Sequence, residues 1–218
     1  MSKILVSLCI VLITACDQNE KIDHDLANQS LNDSEKVREI SPDEVIVSSG
    51  SSHYEYTDFK DFYRNFFISL MEDDEMRFNT FINSKRGLYI IDSKGALPVL
   101  TNIKDISSYK RPDGRSIFSV NKSTLGFEML KEDLPKIDCD APKFYSKTGC
   151  FTANTNTLME TMVWQYTNLD ENTKEDIISL AETVSVTVVN TANYIYYFSF
   201  IDGNWYLTFL DIRTPCEA

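Results

Sequence analysis

Imidazole is the side chain best suited to acid–base work near neutral pH, and this 218-residue chain has two, His24 and His53. Both lie in a polar stretch that ends just before Tyr54. From Tyr54 onward there is no histidine. Ser-His-Asp and Cys-His catalysis, a histidine general base and histidine-ligated zinc are therefore excluded from that part. The seven glycines are widely scattered, so no dinucleotide or phosphate loop can form, and no GxSxG elbow occurs. No cofactor is expected, and no metal either, because no CxxC spacing or neighbouring histidine supports one.

Carboxylate, tyrosine and lysine chemistry remain. Asp73, Asp74 and Glu75 form an acidic knot that could hold a cation, although a solvated helix junction accounts for it better. Asp138 and Asp140 flank Cys139 and could offer oxygen ligands to calcium, with an exposed acidic loop as the plainer reading. Lys85-Arg86 could hold an anion or mark a turn before a strand. The feature that most resembles a binding surface is the alternating stripe Tyr194, Tyr196, Phe198, Phe200. Its rings could line a pocket for an apolar ligand, or form core against Phe59, Phe62 and Phe66. The core reading carries more weight.

Five cysteines are present. Cys139 and Cys150 flank a short loop with Pro142 and Gly149, and a disulfide between them is the preferred expectation in an exported protein. A bridge from Cys216 to either one, or free thiols throughout, stays open.

Around these residues the periodicity outlines α+β architecture. Phe59, Phe62, Tyr63, Phe66, Phe67, Leu70 and Met71 fall on one helical face, with Thr57 or Asp58 as cap. A second short helix carries Phe78, Phe81 and Ile82, and Leu88 to Ile91 reads as a strand. A short helix near Ile103 to Ile106, a Pro112-Asp113-Gly114 turn and a strand from Ser116 to Val120 are expected in the middle. Helical pattern returns over Leu158 to Tyr166 and Thr173 to Ala181. Three strands follow, around Val184–Val188, Tyr194–Ile201 and Trp205–Ile212, the last two joined by Asp202-Gly203-Asn204. The expected fold is thus N-terminal amphipathic helices packed on an antiparallel sheet that ends in a three-stranded meander.

The first residues, Met1-Ser2-Lys3, precede an apolar run from Ile4 to Ile13 and then Thr14-Ala15-Cys16. The run is too short to span a bilayer, which needs about 20 residues, and has the parts of a secretory signal. Ile13-Thr14-Ala15-Cys16 resembles the lipobox of bacterial lipoproteins. That resemblance implies cleavage between Ala15 and Cys16, diacylglycerol on the Cys16 sulfur, and a further acyl group such as palmitate on the new amine. Two or three chains anchor stably. Asp17 resembles an inner-membrane retention signal of some bacteria, which leaves inner versus outer membrane open. The domain plan is a signal peptide over 1–15, an acidic tether over 16–53 with too little apolar surface to fold, and one α+β domain over 54–218.

The segments Phe81-Ile82-Asn83-Ser84-Lys85-Arg86-Gly87-Leu88-Tyr89 and Trp205-Tyr206-Leu207-Thr208-Phe209, with Thr214-Pro215-Cys216, resemble a family of bacterial lipoproteins that carries no assigned activity. The element order also resembles the NTF2-like cone fold, whose curved sheet would enclose a pocket. A net charge of −12 argues against nucleic acid as a partner. The expectation is a non-enzymatic, lipid-anchored protein of the cell envelope that binds a small apolar ligand or an envelope protein. The alternatives are an NTF2-like enzyme using Asp and Tyr in an apolar pocket, or a purely structural lipoprotein.

Overall fold

The computed structural model describes residues 57–93, 95–125 and 128–216. The signal, Ala15, Cys16 and the tether lie outside the described residues.

Helix α1, Phe59–Glu72, starts at Asp58, whose carboxylate accepts from the amides of Lys60 and Asp61. It ends at Asp73, which adopts a left-handed conformation and returns its N–H to the Ser69 carbonyl. Asp74 then caps α2, Glu75–Asn79, by accepting from the Arg77 amide. The acidic knot is thus a helix junction: Asp73 turns the chain and satisfies an orphaned carbonyl of α1, and Asp74 restarts it and satisfies an orphaned amide of α2.

Seven strands follow: β1 Leu88–Ser93, β2 Pro98–Ile103, β3 Met129–Lys131, β4 Cys150–Ala153, then, after helices α3 Thr157–Thr161 and α4 Glu171–Ala181, β5 Val184–Asn190, β6 Ile195–Ile201 and β7 Asn204–Asp211. They form one sheet in the order β2-β1-β7-β6-β5-β4-β3. The β5-β6-β7 meander is as expected, with antiparallel register throughout. The sheet as a whole is mixed rather than antiparallel, because β1 pairs parallel to β7 and β3 parallel to β4.

Alternation along the strands divides two cores. Leu88, Ile90, Tyr196 and Phe198 face α1 and α2, where they meet Phe62, Phe66 and Phe81. Tyr89, Ile91, Tyr197 and Phe209 face α3 and α4, against Leu158, Trp164, Ile177 and Leu180. Both faces of the central strands are therefore covered, and the result is three layers. A bulge between Tyr197 and Phe198 skips Thr208 in the pairing with β7. Its buried hydroxyl is satisfied by Ser199 Oγ at 2.7 Å.

Three local expectations are corrected. Ser116 to Val120 is not a strand: Ser119 N–H donates to the Ser116 carbonyl and Val120 N–H to that of Phe118, local turn bonds in place of a ladder to a neighbouring strand. The helix expected from Leu158 to Tyr166 breaks at Met162 (φ 43°) and continues as a 3-10 turn from Val163 to Tyr166, which buries Trp164. The turn near Ile103 begins later, over Ile106–Ser108, because β2 occupies Pro98–Ile103.

Candidate functional site

The centre of the aromatic stripe is core. Tyr196 and Phe198 are fully buried, with the Phe66 ring 5.5 Å from each, and Phe59 and Phe62 close over Phe198 at 5.5 and 5.3 Å. Phe200 is exposed at the far end of β6 and packs beside Trp205. Tyr194 alone reaches a cleft, through its hydroxyl end.

That cleft, of about 500 Å³, lies at one end of the sheet. The β5–β6 turn and the segment after β7 both reach it, so the sheet framework positions its floor. The loops 111–121 and 143–148 supply its walls. Four cations line it: Arg111, Arg115, Lys143 and Arg213. Among the described residues no carboxylate belongs to its lining, although Asp92, Asp113 and Asp211 stand behind the arginines.

Arg111 is held on three sides. Its Nε and Nη2 donate to the two Asp113 oxygens at 3.1 and 3.0 Å, and Nη1 donates to the Tyr194 hydroxyl at 2.9 Å. Tyr194 in turn donates to the Ile117 carbonyl. Arg115 shares Asp113, which hydrogen bonds from Arg111 first, then from the Arg115 amide and side chain, hold well below the usual carboxylate range. The tight Pro112-Asp113-Gly114 turn is what lets one aspartate reach both arginines.

Arg213 follows β7 and is forked onto Asp211, with Nε to Oδ1 at 2.9 Å and Nη2 to Oδ2 at 2.6 Å. Asp211 is buried at the end of β7, in register with Ile91 of β1 and Ile195 of β6, so the sheet itself fixes the guanidinium. Arg213 has five N–H donors, of which the Asp211 side chain takes two. Tyr145 stands nearby; burial, with the Asp211 charge adding to it, pushes its hydroxyl up to about 12.

The disulfide is corrected. Cys139 pairs with Cys216, with Cα atoms 5.5 Å apart, a spacing a disulfide accommodates. Cys150 is instead a buried free thiol in β4, 3.0 Å from the Tyr63 hydroxyl. Its strand position turns it into the core, away from the exposed loop that carries Cys139. Burial pushes its thiol up, which disfavours the reactive thiolate. The Cys139–Cys216 bridge ties the loop bearing Lys143 and Tyr145 to the tail bearing Arg213 and Pro215, thereby joining two walls of the cleft.

Asp138 and Asp140 do not form a cation site with each other: Asp138 Oδ1 accepts the Asp140 amide and stabilises the turn. Lys85 and Arg86 sit in a turn whose amides Asn83 caps. They border a second depression of about 590 Å³, larger but also lined by Asp176. With two cations and a carboxylate it is electrostatically mixed, so the smaller cleft is the stronger candidate.

Sequence reasoning missed Arg111, Arg115, Lys143 and Arg213. They come from separate loops and share no spacing. The available signal was the pair of arginines bracketing Pro112-Asp113-Gly114 in a chain otherwise dominated by acidic residues. No protein-family model matches this chain, and neither a curated protein nor a solved structure matches it.

Proposed function

We propose that this chain is a lipid-anchored protein of the bacterial cell envelope whose α+β domain binds a small anionic ligand, without catalysis, in the cleft between Arg111 and Arg213. One observation carries the reading. In a chain of net charge −12, four cations line one cleft whose lining among the described residues holds no carboxylate, and Asp113, Asp211 and, through its charge on Arg111, Asp92 stand behind them, which leaves a local excess of one positive charge. A concave site of this volume suits a small organic ligand, and arginines already locked by hydrogen bonds lose little freedom on binding. The anchor rests on Ile13-Thr14-Ala15-Cys16 and its apolar leader.

An apolar ligand is less well served. The sheet face that an NTF2-like enzyme would use is filled by Phe62, Phe66 and Phe81. The carboxylates whose ionisation departs from the ordinary, Asp105, Asp113 and Asp170, are all held low, whereas a carboxylate acid or base working in an apolar pocket would be pushed up.

Calorimetric titration of the full chain with citrate, a polycarboxylate probe, tests the cleft. Binding is expected at low salt and should weaken roughly tenfold or more in the Arg115→Gln/Lys143→Gln double variant, whose side chains are both exposed. Equal citrate affinity in the two proteins would overturn the reading. Radiolabelled palmitate should enter the wild-type chain and not Cys16→Ala.

A further inference from the structure

Resting on that reading, we infer that the anion is an acidic saccharide: a polyhydroxylated ring bearing a carboxylate, with the carboxylate on the Arg213 side of the cleft and a ring face on Phe144. Three features beyond charge lead there. First, at about 500 Å³ the cleft is several times too large for a lone oxyanion. Second, its lining includes the hydroxyls of Ser119, Thr148 and Thr214, for which no protein hydrogen bond is made among the described residues, and these can both donate to and accept from sugar hydroxyls. Third, Phe144 presents a ring 38% exposed on the same wall as Lys143.

These features serve different parts of one molecule. A pyranose has an apolar C–H face, which packs on an exposed aromatic ring, and an equatorial belt of hydroxyls that needs groups able to donate and accept. Its carboxylate matches the planar fork of a guanidinium, whose paired N–H groups bind it bidentately. Arg213 is anchored to Asp211 through Nε and Nη2 only, so its Nη1 edge stays uncommitted to any carboxylate of the protein. A nucleotide fits less well. Tyr194 is buried beneath Arg111, so the cleft has no pair of exposed rings to sandwich a base. A peptide recognised by strand addition needs a sheet edge, and the cleft lies at strand ends, away from the edge strands β2 and β3.

The test titrates the full chain in parallel with tri-galacturonate, maltotriose, inorganic phosphate and citrate. Tri-galacturonate is expected to bind at least tenfold more tightly than either maltotriose or phosphate, since each of those supplies only half of the match. Phe144→Ala, a change at a partly exposed ring, should weaken tri-galacturonate roughly tenfold and citrate by less than twofold. If citrate binds while tri-galacturonate is no better than phosphate, or if Phe144→Ala weakens both equally, the saccharide inference is overturned and the anion cleft stands. If no anion binds, both fall.

Discussion

Arg213 and Asp211 stand two residues apart on either side of the end of β7, and the fork between them joins the sheet interior to the cleft: one partner is 6% exposed and in register with two neighbouring strands, the other lines the cleft wall. Positioning a binding cation through a buried carboxylate makes its stability and its placement the same property. Removing one partner strands the other. Asp211→Asn should lower unfolding free energy in urea by about 2 kcal/mol, and Arg213→Met by about 3 kcal/mol because it leaves a buried carboxylate without its cation. Arg213→Lys should recover part of the stability but not citrate affinity, since an ammonium cannot fork.

Asp113 gives a pH signature. Its folded carboxyl is held low, chiefly by Arg111, so it favours the folded state above the unfolded carboxyl value of about 3.9, and that contribution fades as pH falls below it toward the folded value. Asp113→Asn should therefore melt below wild type at pH 7, with the gap narrowing as the solution is acidified below about pH 4. A constant gap across that range, read by thermal melts, would argue against the shared Arg111–Asp113–Arg115 arrangement.

The disulfide spans 77 positions of sequence, and in the chain-entropy model a loop of that length stabilises by about 4–5 kcal/mol. Non-reducing peptide mapping should recover a linked Cys139–Cys216 peptide and no Cys139–Cys150 peptide. Cys216→Ser should lower the melting temperature strongly and weaken citrate binding, because it unties Lys143 from Arg213. Cys150→Ser should leave citrate affinity unchanged.

Tyr196 is fully buried, and its hydroxyl has no hydrogen-bond partner among the described residues. A stranded hydroxyl of this kind costs roughly 1–3 kcal/mol. Tyr196→Phe removes the group and keeps the ring, so it should raise stability by about 1 kcal/mol in chemical denaturation. Tyr63→Phe should not, since its hydroxyl meets Cys150.

Helix α1, the junction at Asp73-Asp74 and the β5-β6-β7 meander were legible because each depends on local order: a three- or four-residue apolar repeat, a capping side chain, a two-residue alternation and an Asp-Gly turn. Of the stripe Tyr194, Tyr196, Phe198 and Phe200, expected to pack against Phe59, Phe62 and Phe66, Tyr196 and Phe198 lie in that core, whereas Tyr194 reaches the cleft and Phe200 is exposed. Three strands were missed: β2, although it pairs with its neighbour β1, and β3 and β4. β4 has four residues and β3 three, too short to establish a period, and both are specified by pairing rather than by pattern. The same holds for the cleft. Arg111, Lys143 and Arg213 meet only because the sheet brings three separated loops to one end. Proximity in sequence likewise favoured Cys139–Cys150, whereas burial of Cys150 in β4 leaves Cys139 to pair with Cys216.

The place of β7 has a consequence for the order of assembly. It follows all other strands along the chain, yet it lies between β1 and β6, with parallel pairing on one side and antiparallel on the other. As the polypeptide lengthens during synthesis, the β1–β2 hairpin can form early but has nothing to dock against, and β6 waits with a bare edge. Neither half-sheet can be sealed until residues 204–211 arrive. A chain of this topology emerges into its compartment with two adhesive edges and needs protection from neighbouring chains until its final strand has been inserted.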